Sequence, residues 1–275
     1  MRIFPKIKSF KKLYDLKLQL RKKKYFFYDL LYLIKNITPL SSIIDFYKNN
    51  CKKKINQNIE FKKYYLSSKF DDDDWFLIKM PLFTNHFENK KDKIRNILEI
   101  GSWEGRSSVF FLNYFEKSKL CCVDTWLGSI DQFKESESME DKYNKNKMCK
   151  VEENFNHNLK PFTGRYEKNK MTSDEYFNKN NFFFDLIFID GLHYFDQVIL
   201  DAKNSMKFLR QNSYLLFDDY TYRWSGYKSG KNVLNAVNQF LKTYKNQFQI
   251  IYISEQVLLK KIDSTESKGK FRIKQ

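Results

Sequence analysis

The sequence predicts an α/β fold, in which a mostly parallel β-sheet is closed by an antiparallel hairpin and preceded by a basic helical extension. Three observations support this prediction. Short apolar runs alternate with amphipathic stretches from residue 93 onwards, which is typical of alternating strands and helices. Lysine and arginine are concentrated before residue 64. Four of the apolar runs end in acids, at Glu99, Asp124, Asp190 and the pair Asp218 and Asp219.

The elements of the body follow one another in a regular order. Short apolar runs predict five strands, at residues 96–100, 119–123, 161–164, 183–189 and 214–217. Apolar residues at helical spacing predict helices at 106–115, 197–209 and 231–244. Residues 249–254 and 256–260 are expected to pair as the closing hairpin. The polar segment 131–158 has no clear periodicity, and we expect an insertion or a mobile cover there.

The N-terminal extension is the basic part of the chain. Residues 1–63 contain 17 Lys and Arg residues against four acids, so they hold +13 of the total formal charge of +17. Apolar residues at helical spacing in 26–37, and a helix start at Thr38-Pro39, predict two or three helices. We expect either a solvated helical extension packed on the body or a basic surface for an anionic partner, nucleic acid or a membrane surface.

The chain is expected to divide into four parts. They are the extension at 1–63, a lid or connector at 64–92, the catalytic body at 93–262 and a polar tail at 263–275. Within the connector, four consecutive acids at 71–74 precede an apolar run at 75–78. Acids in a first helical turn oppose the positive end of the helix dipole, so this pattern predicts a charged helix start.

Composition favours a cytoplasmic protein. A hydrophobic content of 42% supports a real core. The four cysteines, at Cys51, Cys121, Cys122 and Cys149, have no paired zinc spacing, which indicates a reducing compartment. We expect no signal peptide, because residues 1–21 interleave lysines with apolar residues. The most apolar N-terminal run, at 25–34, is too short and too interrupted to span a bilayer.

The loop after the first predicted strand contains two glycines. Its pattern is Glu99-x-Gly101-x-x-x-Gly105, and a serine-rich helix start follows it. A dinucleotide fingerprint needs a glycine at the position of Trp103, so that the backbone can approach a pyrophosphate. Trp103 would crowd a pyrophosphate out. The loop therefore predicts a ligand without one.

The strand-end acids are expected to line a single cleft, because the carboxyl ends of parallel strands meet at one edge of the sheet. At the end of the second strand, Asp124 can accept both hydroxyls of a ribose or cap a helix. Glu99 is expected beneath the glycine loop. Trp126 is expected either against an adenine or in the core.

Four motifs, read in order, carry a resemblance to a known family. They are the glycine loop, VDTW at 123–126, FDLIFIDGLHY at 184–194 and LFDDY at 216–220. Together they resemble the macrocin O-methyltransferase type of class I S-adenosylmethionine (SAM) dependent methyltransferase and, more distantly, the catechol O-methyltransferases. The resemblance covers residues 93 to 261. It implies a Rossmann-like sheet, SAM as cofactor, and methylation of a hydroxyl on a small molecule or a glycan sugar.

The resemblance also assigns residues to roles. SAM binding is expected from Glu99, Gly101, Ser102, Trp103, Gly105, Asp124 and Trp126. A divalent cation is expected on Asp190, Asp218 and Asp219, and three carboxylates suit Mg²⁺. The alternative is that Asp218 and Asp219 cap a loop or bind the substrate without metal. His193, which stands where the catechol enzymes have a lysine base, is either the catalytic base beside Asp190 or a residue that fixes the loop.

In the expected reaction the metal lowers the pKa of the acceptor hydroxyl and the site aligns it with the methyl group. An acceptor wall is expected from Tyr220, Tyr222, Arg223 and Trp224, with residues 75–87 as a lid. Two alternatives stay open. One is an RNA methyltransferase that holds phosphates with the basic extension; the other is a non-catalytic methyltransferase-like module whose extension docks on a membrane or another protein. The sequence leaves room for a homo-oligomer.

Overall fold

The computed structural model describes residue 44 and residues 62–72, 74–76, 79–128, 145–222 and 231–262. The helices predicted before residue 62, the polar tail after 262, and Arg223 and Trp224 lie outside the described residues. The division of the chain into four parts therefore stays a prediction. Among the described residues, no helix combines the length and the apolar composition needed to cross a bilayer.

Seven strands form one mixed sheet. In chain order they are β1 (Asn96–Ile100), β2 (Lys119–Asp124), β3 (Tyr166–Lys170), β4 (Phe184–Ile189), β5 (Leu209–Phe217), β6 (Phe248–Ile253) and β7 (Val257–Lys261). Their order across the sheet is β3-β2-β1-β4-β5-β7-β6. The first five strands are parallel, whereas β7 runs antiparallel to both β5 and β6. The predicted α/β fold with a closing antiparallel hairpin is confirmed.

Helices cover both faces of this sheet. They are α1 (Pro81–Phe87), α2 (Arg106–Tyr114), α3 (Lys145–Leu159), α4 (Ser173–Lys179), α5 (Phe195–Phe208) and α6 (Val233–Tyr244). Side chains of a strand alternate between the faces, so β4 sends Leu186 and Phe188 into one core and Ile187 and Ile189 into the other. The first core also contains α1, α2 and α3, and the second contains α4, α5 and α6.

Two predictions in the crossover between β2 and β3 are wrong. The segment 131–158, in which no clear periodicity was predicted, contains most of α3, whose buried residues Met148, Val151, Phe155 and Leu159 follow helical spacing. The third strand is not at 161–164, which forms a short 3₁₀-helix and a turn. It is β3, a polar edge strand whose pairing with β2 defines it. The helix α4 was not predicted from the sequence. It begins at a capping box between Thr172 and Glu175.

The predicted charged helix start before 75–78 is also wrong for the described residues there. Trp75 and Phe76 lie in a bend, and the helix that follows, α1, begins only at Pro81. The acids instead receive polar contacts from the glycine-loop region. Asp72 Oδ2 accepts from the indole Nε1 of Trp103 at 2.8 Å, and Asp74 pairs with Arg106 at 3.4 Å.

Most of the segment expected to form a lid, residues 75–87, packs into the hydrophobic core instead. Met80, Leu82, Phe83 and Phe87 have at most 1% of their surface exposed. The Phe83 ring lies 5.0 Å from that of Phe110 on α2, with edge and tilted contacts to further aromatic rings. This packing fixes the chain just before α1, which becomes important for the site.

Candidate active site at the carboxyl edge of the sheet

The glycine loop holds the ends of β1 and β4 together. Gly101 has a left-handed φ of +88°, and a Cβ there would overlap the carbonyl oxygen of Asp190. The backbone N–H of Asp190 donates to Ile100 O at 2.8 Å, and that of Gly101 donates to Val123 O at 2.8 Å. Only glycine fits this position without strain or overlap. We therefore expect the ligand cleft above this loop, between the carboxyl ends of β1, β2 and β4.

Glu99 lies beneath this loop, as expected, and is fully buried. Its carboxylate accepts hydrogen bonds from the hydroxyls of Ser102 at 2.8 Å and Ser107 at 2.5 Å, and from that of Ser108. Burial raises the pKa of Glu99 to about 7, although the three hydroxyls oppose the shift. Glu99 thus fixes the loop to the first turns of α2.

Asp124 connects two loops at the end of β2. Its Oδ2 accepts from the backbone N–H of Trp103 at 2.9 Å and its Oδ1 from that of Trp126 at 2.7 Å. Burial raises its pKa, while these backbone donors lower it. The backbone N–H groups of Ser102 and Thr125 also act on this carboxylate and lower its pKa, so Asp124 holds the ends of both loops.

Trp126 lies in the core, which is one of the two positions expected for it, and its contact with SAM stays a prediction. Its side chain is 1% exposed, and its ring centroid lies 4.8 Å from that of Phe155 on α3. The indole Nε1 donates to Trp103 O at 2.9 Å. Gly105, with φ at +79°, precedes α2 and packs against Phe155 and Leu159, so it serves the same packing.

The opposite wall of the cleft contains Asp190, His193 and Asp219. His193 Nε2 lies 3.2 Å from Asp219 Oδ2 and 3.8 Å from Asp190 Oδ1. One ligand atom from each of the three residues lies within 4.8 Å of the others. Burial raises the pKa of Asp190, and His193 and Lys79 oppose this shift. Burial alone would raise the pKa of Asp219, but Lys79 and His193 outweigh it and hold that pKa well below its usual range.

Lys79, which the sequence analysis missed, also belongs to this wall. Its Nζ lies 2.6 Å from Asp218 Oδ1 and 2.9 Å from Asp219 Oδ1, and its side chain is 7% exposed. Burial would lower the pKa of Lys79, but Asp218, Asp219 and Asp190 raise it well above its usual range. The ammonium favours the ionised form of Asp218, whereas burial and Asp190 raise the pKa of that carboxyl. At 2.6 Å we assign a charged pair.

Comparison with known proteins decides the class of this cleft. Residues 98–220 match the family model described as a methyltransferase domain, and this range contains the glycine loop, Asp124, Asp190 and His193. The match identifies this part of the chain as a methyltransferase domain. The general resemblance seen in the sequence is confirmed, while the macrocin type within the class stays a prediction.

Further proteins resemble parts of the chain. A stretch of 58 residues is 40% identical to an uncharacterized protein of Acanthamoeba polyphaga mimivirus and covers 21% of this chain and 24% of that protein. The chain thus matches about a quarter of the length of this relative.

Two solved structures are similar to the chain at low identity. The O-methyltransferase TomG of Streptomyces achromogenes, in complex with SAM, is 12% identical over 80% of this chain and 96% of its own, with a TM-score of 0.49. MycE of the mycinamycin pathway, in complex with Mg, SAH and mycinamycin VI, is 14% identical over 86% of this chain and 63% of its own, also with a TM-score of 0.49.

The expected acceptor wall of the methyltransferase domain is only partly present among the described residues. Tyr220 is fully buried, and its hydroxyl donates to Asn238 on α6 at 2.7 Å, so its predicted contact with an acceptor is wrong. Tyr222 is half-buried, and its ring centroid lies 4.8 Å from that of His193. Among the described residues of the predicted acceptor wall, Tyr222 is the one that lies beside His193.

Proposed function

We propose that this methyltransferase transfers the methyl group of SAM to a hydroxyl oxygen of a small molecule or of a glycan sugar. The observation that carries the proposal is the contact between His193 and Asp219, at 3.2 Å, in the wall that faces the glycine loop. An imidazole oriented by a carboxylate is the arrangement that removes a proton from a hydroxyl.

The residues at the β1 and β2 ends fit SAM. Asp124 lies at the end of β2, where a ribose can be held, and its carboxylate fixes the loops on either side. Trp103 stands where a pyrophosphate would need a glycine, which suits a nucleoside without phosphate. SAM supplies a methyl group on a positively charged sulfur, so the protein needs to align the acceptor and take up its proton.

The three predicted magnesium ligands, Asp190, Asp218 and Asp219, fit a metal ion less well than the ends of β1 and β2 fit SAM. The ammonium of Lys79 lies within 2.9 Å of both aspartates that follow β5, so a positive charge already occupies the space between them. Among the described residues the cluster able to hold a cation includes His193 in place of Asp218. Mg²⁺ prefers oxygen ligands, and an imidazole suits it less. The proposed proton transfer therefore uses no metal.

The chain's own residues account for the proton transfer. In this step the neutral ring carries its proton on Nε2, which lies 3.2 Å from Asp219 Oδ2, so the lone pair lies on Nδ1. Nδ1 accepts the proton of the acceptor hydroxyl. The positive charge that then develops on the ring is stabilised by Asp219, which the low pKa of its carboxyl keeps ionised. Asp190 adds a second carboxylate 3.8 Å from Nε2.

A transfer assay tests this proposal. The protein is incubated with SAM labelled in its methyl group and with sets of hydroxyl-bearing metabolites, oligosaccharides and RNA. We expect labelled methyl ethers among the metabolites or oligosaccharides. Label in RNA alone, or no label in any hydroxyl compound from a protein that binds S-adenosylhomocysteine (SAH), would overturn the proposal.

A further inference from the structure

Lys79 is fixed from both sides rather than free to move on a surface. Its backbone N–H donates to Phe76 O at 2.9 Å, and the next residue, Met80, is fully buried. Phe76 and Met80 both belong to the aromatic core on α2. The chain therefore places the ammonium of Lys79 at the β5 end with little freedom.

Three of the four carboxylate oxygens of Asp218 and Asp219 have a defined contact. Asp218 Oδ1 accepts from Lys79 and from the backbone N–H of Asp219 at 2.7 Å. Asp219 Oδ1 accepts from Lys79 at 2.9 Å, while its Oδ2 faces His193. Asp219 has a left-handed φ of +51°, which costs about 1 kcal/mol in a residue other than glycine. The contacts of Asp218 and Lys79 hold it in that conformation.

These contacts form one line from Lys79 through Asp219 to His193. A divalent cation at this edge would neutralise the same carboxylates and orient the same groups. An ammonium has a single charge and three donors, and two of these donors already point at Asp218 and Asp219.

We infer that Lys79 supplies the positive charge of this site in place of a divalent cation and acts, through Asp219, as a positioning residue for His193. The inference rests on the proposed O-methylation. In the step, the acceptor proton passes to His193 Nδ1 and the oxygen electron pair forms the O–CH₃ bond. The S–CH₃ bond breaks and leaves its electron pair on the sulfur of SAH. No oxidant or metal enters the balance.

Binding of Mn²⁺, followed by its electron paramagnetic resonance signal, tests the inference on the full chain saturated with SAH. The variants are Lys79→Met and, as the matched control, Lys231→Met, which removes a lysine paired with Asp196 on the exposed surface. We expect the wild type and Lys231→Met to leave Mn²⁺ free at about 100 μM, and Lys79→Met to bind it at least about tenfold more tightly. Adding Asp219→Asn to Lys79→Met is expected to abolish that binding.

The opposite result is equally clear. The inference is overturned if the wild type binds Mn²⁺ with a Kd below about 100 μM and the variant Asp190→Asn does not bind it. This measurement decides the question even where Lys79→Met fails to fold. A folded Lys79→Met that gains no Mn²⁺ binding also overturns it.

Turnover with an acceptor from the transfer assay separates the positioning role from a purely structural one. Lys79→Arg keeps a cation and is expected to retain the pH profile of kcat, whereas Lys79→Met is expected to shift it. Equal profiles in the two folded variants would overturn the inference. Hydroxyl methylation that requires Mn²⁺ in the wild type contradicts the inference alone, while absence of hydroxyl methylation contradicts the proposed function.

Discussion

The backbone N–H of Trp103 donates to Asp124 Oδ2 at 2.9 Å, so the loop after β1 is held to the carboxyl end of β2. The same carboxylate holds the loop after β2 through the N–H of Trp126. One side chain thus sets the distance between the two loops expected to bind SAM.

We expect Asp124→Ala to weaken SAH binding by at least about tenfold, because both loops lose their common acceptor. The matched control is Asp185→Ala at the opposite edge of the sheet, where Oδ2 accepts from the backbone N–H groups of Arg95 and Asn96, both at 2.9 Å. Both variants are expected to lose roughly 2–4 kcal/mol of unfolding free energy. Titration calorimetry with SAH and urea unfolding measure the two effects. Equal SAH affinity in the two variants would contradict the assignment of Asp124.

Gly101 and Gly164 offer a test of the contact between β1 and β4. Both have a left-handed φ, +88° and +86°, but a Cβ at Gly164 would meet nothing within 4 Å. We expect Gly164→Ala to cost about 1 kcal/mol for the backbone conformation. Gly101→Ala is expected to cost roughly 2–4 kcal/mol, because the strand ends must also move apart. Urea unfolding of the two variants measures the difference, and equal losses would show that the strand ends do not touch.

Glu99 predicts how stability depends on pH. Its pKa is about 7 in the folded protein and returns to its ordinary value of 4.5 on unfolding. Between these values the folded state holds a proton that the unfolded state has released, so the contribution of Glu99 to stability is greatest below pH 4.5 and falls as the pH rises to 7. The shift corresponds to about 3 kcal/mol.

Glu99→Gln is expected to remove this fall in unfolding free energy. The matched control is Glu153→Gln on the exposed face of α3, which deletes a carboxylate without changing a buried group. Urea unfolding at a series of pH values compares the three proteins. If the unfolding free energy depends on pH in Glu99→Gln as it does in the wild type, the buried, protonated state of Glu99 is refuted.

If His193 is the catalytic base, its substitution should lower kcat without changing the affinity for SAH. His193→Gln is expected to lower kcat by about 10²–10⁴-fold, since general base catalysis is lost, while SAH affinity stays the same. His157→Gln is the control, because His157 is exposed on α3 and its Nε2 contacts Ser67 O at 3.1 Å. Steady-state kinetics with labelled SAM measure both variants. A full kcat in His193→Gln would exclude the base role.

Much of the fold was readable because its signals are local. The apolar run of β1 and the acid at the end of each parallel strand follow from burial on both faces and from the common direction of the strands. The helix α3 was readable in principle, since Met148, Val151, Phe155 and Leu159 recur at helical spacing, but the many Lys, Asn and Glu residues between them obscured it. The polar strand β3 has no such signal, because only its hydrogen bonds to β2 define it.

The sequence by itself determined which acids end the strands and that His193 lies three residues from Asp190. The tertiary structure decided what those acids contact. Lys79 lies 140 positions from Asp219 along the chain, and no local pattern joins them. The burial of Met80, Phe83 and Phe87 against α2 brings the ammonium to the strand end. A charge buried in this way needs an opposite charge beside it, and only the folded chain reveals where that charge comes from.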